Sequence, residues 1–260
     1  MGNEAILVKV EDHVGTITLN RPEAMNYLDP VMSKEIENAL ADFERDEEIR
    51  ALIITGAGRA FCAGGDIKTM QQKKAPHEWI ARLEGTTGCI RAMVNCPKPI
   101  IASVNGPAVG AGCNLALAAD LILASEKAVF GEVFTRIGLI PDCGGFFLLP
   151  RRVGLTKAKE LIFTGKTINA QEAAQMGMVN RVVSAEALGE ETRKLAEELA
   201  GGATLAIGMA KRLLNLSFQS DLEAILNAEL TSQTMLRYTE DHPEGVQAFR
   251  EKRKPNFKGK

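Results

Sequence analysis

Residues 100–124, IIASVNGPAVGAGCNLALAADLILA, constrain this chain more than any other stretch. The run is almost uncharged and long enough to cross a bilayer as a helix. Pro107, the glycines around it, Asn114 and Asp120 break that reading. Proline removes a helix hydrogen bond, and glycine weakens a helix interior. What remains is a strand, a glycine turn, a short buried helix and a second strand. Strands buried on both faces of a parallel sheet give such apolar runs without any membrane.

The rest of the chain extends this pattern. Residues 5–19 read as two short strands joined by a turn near Glu11–His13. A helix from about Pro30 to Glu44 follows, because Val31, Ile36, Leu40 and Phe43 recur at helical spacing. ALIITG at 51–56 is a buried strand ending in glycine, and Asp66 reads as the N-cap of a helix beginning at Ile67. A longer helix over 78–95 stops before Pro97 and Pro99. Strands alternating with helices predict α/β layers joined by right-handed crossovers. After about 185 only helical patterns occur, at 186–200, 204–217, 221–239 and 243–252. The expected division is an α/β core over 1–185 and a helical C-terminal region over 186–260.

Charge and rare residues narrow the function classes. The 260 residues are 45% hydrophobic and 25% charged, with a net charge of −2. No global field draws in nucleic acid or acidic lipid. The terminal run KRKPNFKGK is the one basic cluster, read either as a solvated tail or as a phosphate contact. Cysteines at 62, 89, 96, 113 and 143 are odd in number and form no CxxC pair, which suits reduced thiols in a cytoplasm. His13, His77 and His242 lack metal-ligand spacing, so no metal is expected. The N-terminal MGNEAILVKVED carries charge too early for a secretory signal.

Two glycine-rich turns, GAGRAFCAGGDIK (56–68) and NGPAVGAGCN (105–114), each follow a buried strand and precede a helix. Neither is a nucleotide fingerprint, because Phe61 and Leu115 stand where the third glycine belongs. They are either tight structural turns or a pair of main-chain N–H donors for a developing negative oxygen. Asp142, in IGLIPDCGGFF (137–147), also has two readings. It is a natural helix N-cap, or it is the acid of a site. A helix start lowers its pKa, while Ile140, Pro141, Phe146 and Phe147 raise it.

The chain resembles the crotonase superfamily of enoyl-CoA hydratases and isomerases nearly end to end. The carriers are TLNRPEAMN (18–26), AFCAGGDIK (60–68), PKPIIASVNGPAVGAGCNLALAADLILA (97–124) and IGLIPDCGG (137–145). TGKTINAQEAAQMGMVNRVV (164–183) and AFREKRKPNF (248–257) complete it. The resemblance implies a spiral core of repeated ββα units and a helical trimerisation region, giving a homotrimer or a dimer of trimers. It implies an acyl-CoA thioester substrate whose enolate oxygen is held by the backbone N–H groups of Gly65 and Ala111. Backbone at Ala24 and from Ala63 through Gly64, Asp66 and Ile67 would line the CoA path. Lys68, and Phe249 and Lys252 of a neighbouring subunit, would meet its phosphates and adenine. Lys68 is otherwise an exposed first-turn lysine.

The sequence departs from the hydratases of this family. Their two glutamates fall here on Asn114 and Phe134, neither of which can transfer the proton that hydration needs. The GLIPDCGG pattern and its LLPR continuation are instead most similar to the phenylacetyl-CoA catabolic isomerases, and dienoyl-CoA isomerases also carry an Asp at this place. The resemblance therefore implies Asp142 as the acid/base of a double-bond isomerase, with Asn114 and Phe134 shaping the pocket. No cofactor is expected beyond the CoA that arrives with the substrate. Glu132, two residues before Phe134, reads as a surface or structural ion pair, or, if that segment is extended, as a residue that reaches the pocket on the same side as Phe134, and Asp120 as a cap or structural pair. The rivals are hydration, rearrangement of an aromatic CoA epoxide, and an RNA-binding relative without catalysis. The mild acidity and the lack of an aromatic-basic stripe disfavour the last.

Overall fold

The computed structural model describes residues 5–66, 69 and 71–260. The helix expected from Ile67, and the placement of Lys68, lie outside the described residues. The strands are β1 (Ile6–Glu11), β2 (Val14–Leu19), β3 (Ala51–Gly56), β4 (Ile100–Val104), β5 (Ala108–Val109), β6 (Leu121–Ser125), β7 (Val129–Gly131), β8 (Thr167–Asn169) and β9 (Arg181–Val183). Between them lie α1 (Pro30–Arg45), α2 (Pro76–Asn95), α3 (Ala111–Leu117), α4 (Gly145–Thr164, broken at Gly154) and α5 (Ala170–Gln175). The chain ends in α6 (Leu188–Ala200), α7 (Thr204–Ser217), α8 (Leu222–Leu236) and α9 (Asp241–Glu251). Short 3-10 turns cover Pro22–Ala24 and Val133–Ile137.

A six-stranded sheet runs β1-β2-β3-β4-β6-β9. Only β1 and β2 pair antiparallel, and the rest is parallel. Side chains alternate across it, as strand geometry requires. Leu52, Ile54, Ile100, Ala102 and Ile122 face the main core with α1 and α2. Ala51, Ile53, Ile101 and Leu123 face the opposite way, onto Leu188, Ala196 and Ala200 of α6. Both faces are therefore dry, which is why 100–124 looked like a membrane span. No helix of the described residues is long and apolar enough to cross a membrane. A small sheet, β5-β7-β8, stands beside the large one and carries the second glycine turn.

Local chemistry sets the helix ends. The Asp29 side chain accepts from Met32 N at 2.9 Å, and Pro30 occupies the first turn of α1. The helix buries Met32, Ile36, Leu40 and Phe43, while Val31 falls on its exposed side instead of the expected apolar stripe. Asp120 pairs structurally, as expected. Its carboxylate accepts from Ile100 N at 2.8 Å and lies 2.8 Å from Lys211 Nζ. Lys211 also donates to the carbonyls of Met93 and Lys98, at 3.1 and 3.3 Å, and so fastens α7 to the end of α2.

The C-terminal basic run keeps most of its side chains exposed, but it is fastened to α9. Lys258 N and Gly259 N donate to the Asp241 carboxylate at 2.7 and 2.9 Å. Arg253 is held by Glu244 and Glu251, both at 2.6 Å.

Candidate active site

The two glycine turns meet edge to edge. Cys62 N–H donates to Pro107 O at 3.1 Å, and Val109 N–H donates to Cys62 O at 3.0 Å, forming a parallel bridge between the turns. Gly112 permits this approach, since a Cβ there would stand 2.0 Å from Cys62 O. Gly64 adopts a φ of +92°, and a Cβ on it would lie 3.6 Å from Ala111 N. The first turn is further pinned by Asn26, whose Nδ2 donates to Ala57 O at 2.9 Å and Ala60 O at 2.8 Å. Ala63 N–H donates to Met25 O at 3.0 Å, placing Ala24, Ala63 and Gly64 along one rim. Asp66 belongs to the same turn, where its carbonyl accepts from Thr69 N at 3.1 Å.

The amides that the family pattern singled out are available here. Among the described residues, neither Gly65 N nor Ala111 N has a hydrogen-bond acceptor. Ala111 is the first residue of α3, where helical N–H groups lack partners by construction.

The second turn packs against β7, the 3-10 turn after it, and the loop before α4. Gly110 N–H donates to Gly131 O at 2.8 Å, locking the second turn to β7. The Phe134 ring then lies over Gly110, its Cζ 3.6 Å from where a Cβ would be. Asn114 is fully buried on α3, and its Nδ2 donates to the Asp142 carbonyl at 2.9 Å.

Asp142 sits in the loop and does not cap α4. Gly144 holds the N-cap position without a side-chain cap bond, and Gly145 N–H donates to the Asp142 main-chain oxygen at 3.0 Å. Its carboxyl is half-buried, and burial pushes its pKa above the usual range against a hydrogen bond from Cys143. One carboxylate oxygen, Oδ1, is buried without a partner. The next residue, Cys143, has a φ of +46°, a left-handed conformation that non-glycine residues seldom adopt. Such strain persists only where surrounding structure enforces it, and here it aims the loop that bears Asp142.

Glu132 corrects the sequence reading. It is neither at the surface nor in an ion pair among the described residues. It is 1% exposed, and its carboxyl meets the Cys113 thiol and Asn114 Nδ2, the latter at 3.5 Å. Burial raises its pKa to about 7, and the charge of Asp142 adds to that. The segment also leaves extended geometry after Gly131, so Glu132 and Phe134 are not alternate residues of a strand. Sequence reasoning missed the burial of Glu132 and the pinning roles of Asn26 and Asn105. Asn105 Nδ2 donates to Gly58 O at 2.9 Å.

Phe249 and Lys252 are not brought to this site within one chain. Phe249 is 86% exposed on α9 and lines a separate cleft of about 600 Å³ with Leu205 and His242. Lys252 follows α9 in a left-handed conformation.

Two main-chain N–H groups without an acceptor among the described residues, and a half-buried carboxyl on a loop bonded to α3, suit chemistry in which a carbonyl oxygen gains charge while a neighbouring carbon exchanges a proton. The chain belongs to the enoyl-CoA hydratase/isomerase family, which it matches over residues 9–260. It is thus an enzyme of a family that acts on acyl-CoA thioesters. It is 39% identical to the 1,2-epoxyphenylacetyl-CoA isomerase of Escherichia coli over 99% of both chains. It is 41% identical to a probable enoyl-CoA hydratase of Rhizobium meliloti, again over 99% of both. Among solved structures, the enoyl-CoA hydratase of Bacillus anthracis superposes with a TM-score of 0.94 at 36% identity, covering 98% of this chain and all of the other. The α/β architecture is accordingly the crotonase fold that the motifs implied.

Proposed function

We propose that this protein shifts the double bond of an enoyl-CoA from the 3- to the 2-position. The observation that carries the reading is Asp142. It is a half-buried carboxyl with no cationic partner among the described residues, on a loop whose Asp142 carbonyl accepts from Asn114 of α3, while the two hydratase glutamate positions hold Asn114 and Phe134. The thioester oxygen sits between the N–H groups of Gly65 and Ala111. Asp142 removes a proton from the carbon next to the thioester, giving a dienolate whose negative oxygen the two donors hold. It returns a proton two carbons further along, and the product is conjugated. One acid suffices because no water is added. Neither redox nor metal chemistry is required, and CoA enters with the substrate along Ala24 and the segment from Ala63 to Asp66. Each donor stabilises the transition state by ~3–4 kcal/mol in comparable sites.

The test is purified protein with a 3-enoyl-CoA, followed by the absorbance of the conjugated product. Asp142→Asn should lower kcat by roughly 10²–10⁴-fold with the fold intact. A near-normal rate would remove Asp142 from this role. The full-length likeness to the Escherichia coli enzyme supports a second reading, rearrangement of an aromatic CoA epoxide at the same acid. Product analysis with each substrate separates the two.

The same reading makes the protein a homotrimer or a dimer of trimers. Helix α8 buries none of its residues within one chain and leaves Leu222, Leu226 and Leu230 exposed. An apolar face of this kind calls for a second surface. Light scattering that returns a monomer mass at micromolar concentration would refute the assembly.

A further inference from the structure

Three side chains around the site leave buried oxygens without a donor: Asn114 Oδ1, Glu132 Oε1 and Asp142 Oδ1. They belong to one network. Asn114 Nδ2 lies 2.9 Å from the Asp142 carbonyl and 3.5 Å from Glu132 Oε2. Asn114 and Glu132 are at most 1% exposed, so bulk water does not reach them. Buried acceptors without donors are costly, and these three oxygens have none. The titratable groups facing Glu132 are the Cys113 thiol on α3 and Asp142 on the loop before α4. Cys113 is itself kept neutral, its pKa pushed up by burial and then by Glu132. No lysine or arginine pairs with Glu132 among the described residues.

We propose that Glu132 is a positioning residue that holds a proton at neutral pH, supplying the donor this network lacks and, through Asn114, fixing the loop that bears Asp142. The proposal rests on the isomerase reading only for its kinetic arm. A neutral Glu132 leaves Asn114 Nδ2 committed to the Asp142 carbonyl, and leaves Asp142 the one carboxyl free to ionise as base. Once Glu132 ionises, its carboxylate draws Asn114 Nδ2 toward Oε2 by a charge-assisted bond and pulls it off the Asp142 carbonyl, loosening the loop that bears the base. Catalysis therefore weakens on the alkaline side. The raised pKa of Glu132, near neutrality, agrees with this arrangement.

The experiment compares wild type with Glu132→Gln and Glu132→Ala. Glutamine mimics the protonated acid, so it should recover most of the kcat that alanine loses, with KM little changed in either. Wild-type kcat should fall with rising pH above neutrality, and the glutamine variant should lack that limb. An alkaline limb identical in wild type and Glu132→Gln would overturn the proposal, as would a glutamine variant no better than alanine. A second readout needs no turnover: the carboxylic acid C=O stretch in infrared difference spectra between wild type and Glu132→Gln. A protonated acid band present at pH 6 and lost with rising pH supports the proposal even if no enoyl-CoA is converted, an outcome that would sink the isomerase reading alone. A carboxylate signature throughout would reject the proton on Glu132.

Discussion

Substituting alanine at Gly112 tests the claim that the meeting of the two turns sets the rate. The added methyl would lie 2.0 Å from Cys62 O and 2.6 Å from its carbonyl carbon. Bringing the first of these above 3.0 Å, near the closest approach that real Cβ atoms make, moves one turn against the other by about 1 Å. Cys62 O also accepts from Val109 N–H, so the bridge itself is strained. Misplacement of about 1 Å can lower a rate ~10²-fold, or roughly 2.7 kcal/mol of barrier. Overpacking of this kind costs about 1–3 kcal/mol of stability. The assay is kcat with a 3-enoyl-CoA beside a urea unfolding curve. Gly189→Ala is the control, since a Cβ on that exposed position of α6 meets nothing within 4 Å. It should leave kcat unchanged and raise stability by up to about 1 kcal/mol. A folded Gly112→Ala protein with kcat within threefold of wild type would refute the argument that donor spacing matters.

Glu132 also predicts a pH-dependent stability. Its pKa is raised from 4.5 to about 7 in the folded chain, so its stabilisation is complete below pH 4.5 and is lost as pH rises through about 7. The loss is ~1.4 kcal/mol per pH unit, or about 3 kcal/mol across that window. Glu132→Gln should lack this slope, and urea midpoints of the two proteins that run parallel from pH 4.5 to 7 would dismiss it. At the clamp on α7, Lys211→Ala leaves the half-buried Asp120 with the Ile100 N–H and the charge of Arg152 but no ammonium, which should destabilise by about 1–3 kcal/mol. Adding Asp120→Asn should restore part of that loss, and a strictly additive double variant would show that the two do not interact.

The large sheet was legible because its central strands are dry on both faces. ALIITG, IIASV and DLILAS declare themselves by composition alone, and Pro30, Pro76 and Pro97 punctuate the helices between them. The small sheet was not legible. Its strands span two or three residues and exist only through pairing, as in Ala108↔Phe130 and Phe130↔Ile168. The glycine turns were visible as turns, but their meeting at Cys62 depends on a long-range bridge that no local pattern encodes. Asp142 illustrates the same limit. An acid before Cys-Gly-Gly looks like a cap until the left-handed Cys143 delays the helix start to Gly145. Glu132 was misread because a lone glutamate usually belongs at the surface. Only the third dimension shows that the chain turns inward after Gly131.

The bridge at Cys62 has one more consequence. Because the oxyanion donors proposed at Gly65 and Ala111 are peptide nitrogens, no point substitution short of proline deletes them, and the frame that presents them is also the scaffold's spine. Whatever reaction this chassis performs must be retuned at its panels, residues 114, 132, 134 and 142. Activity could thus be rewritten there, while damage to the frame would erase catalysis and folding together.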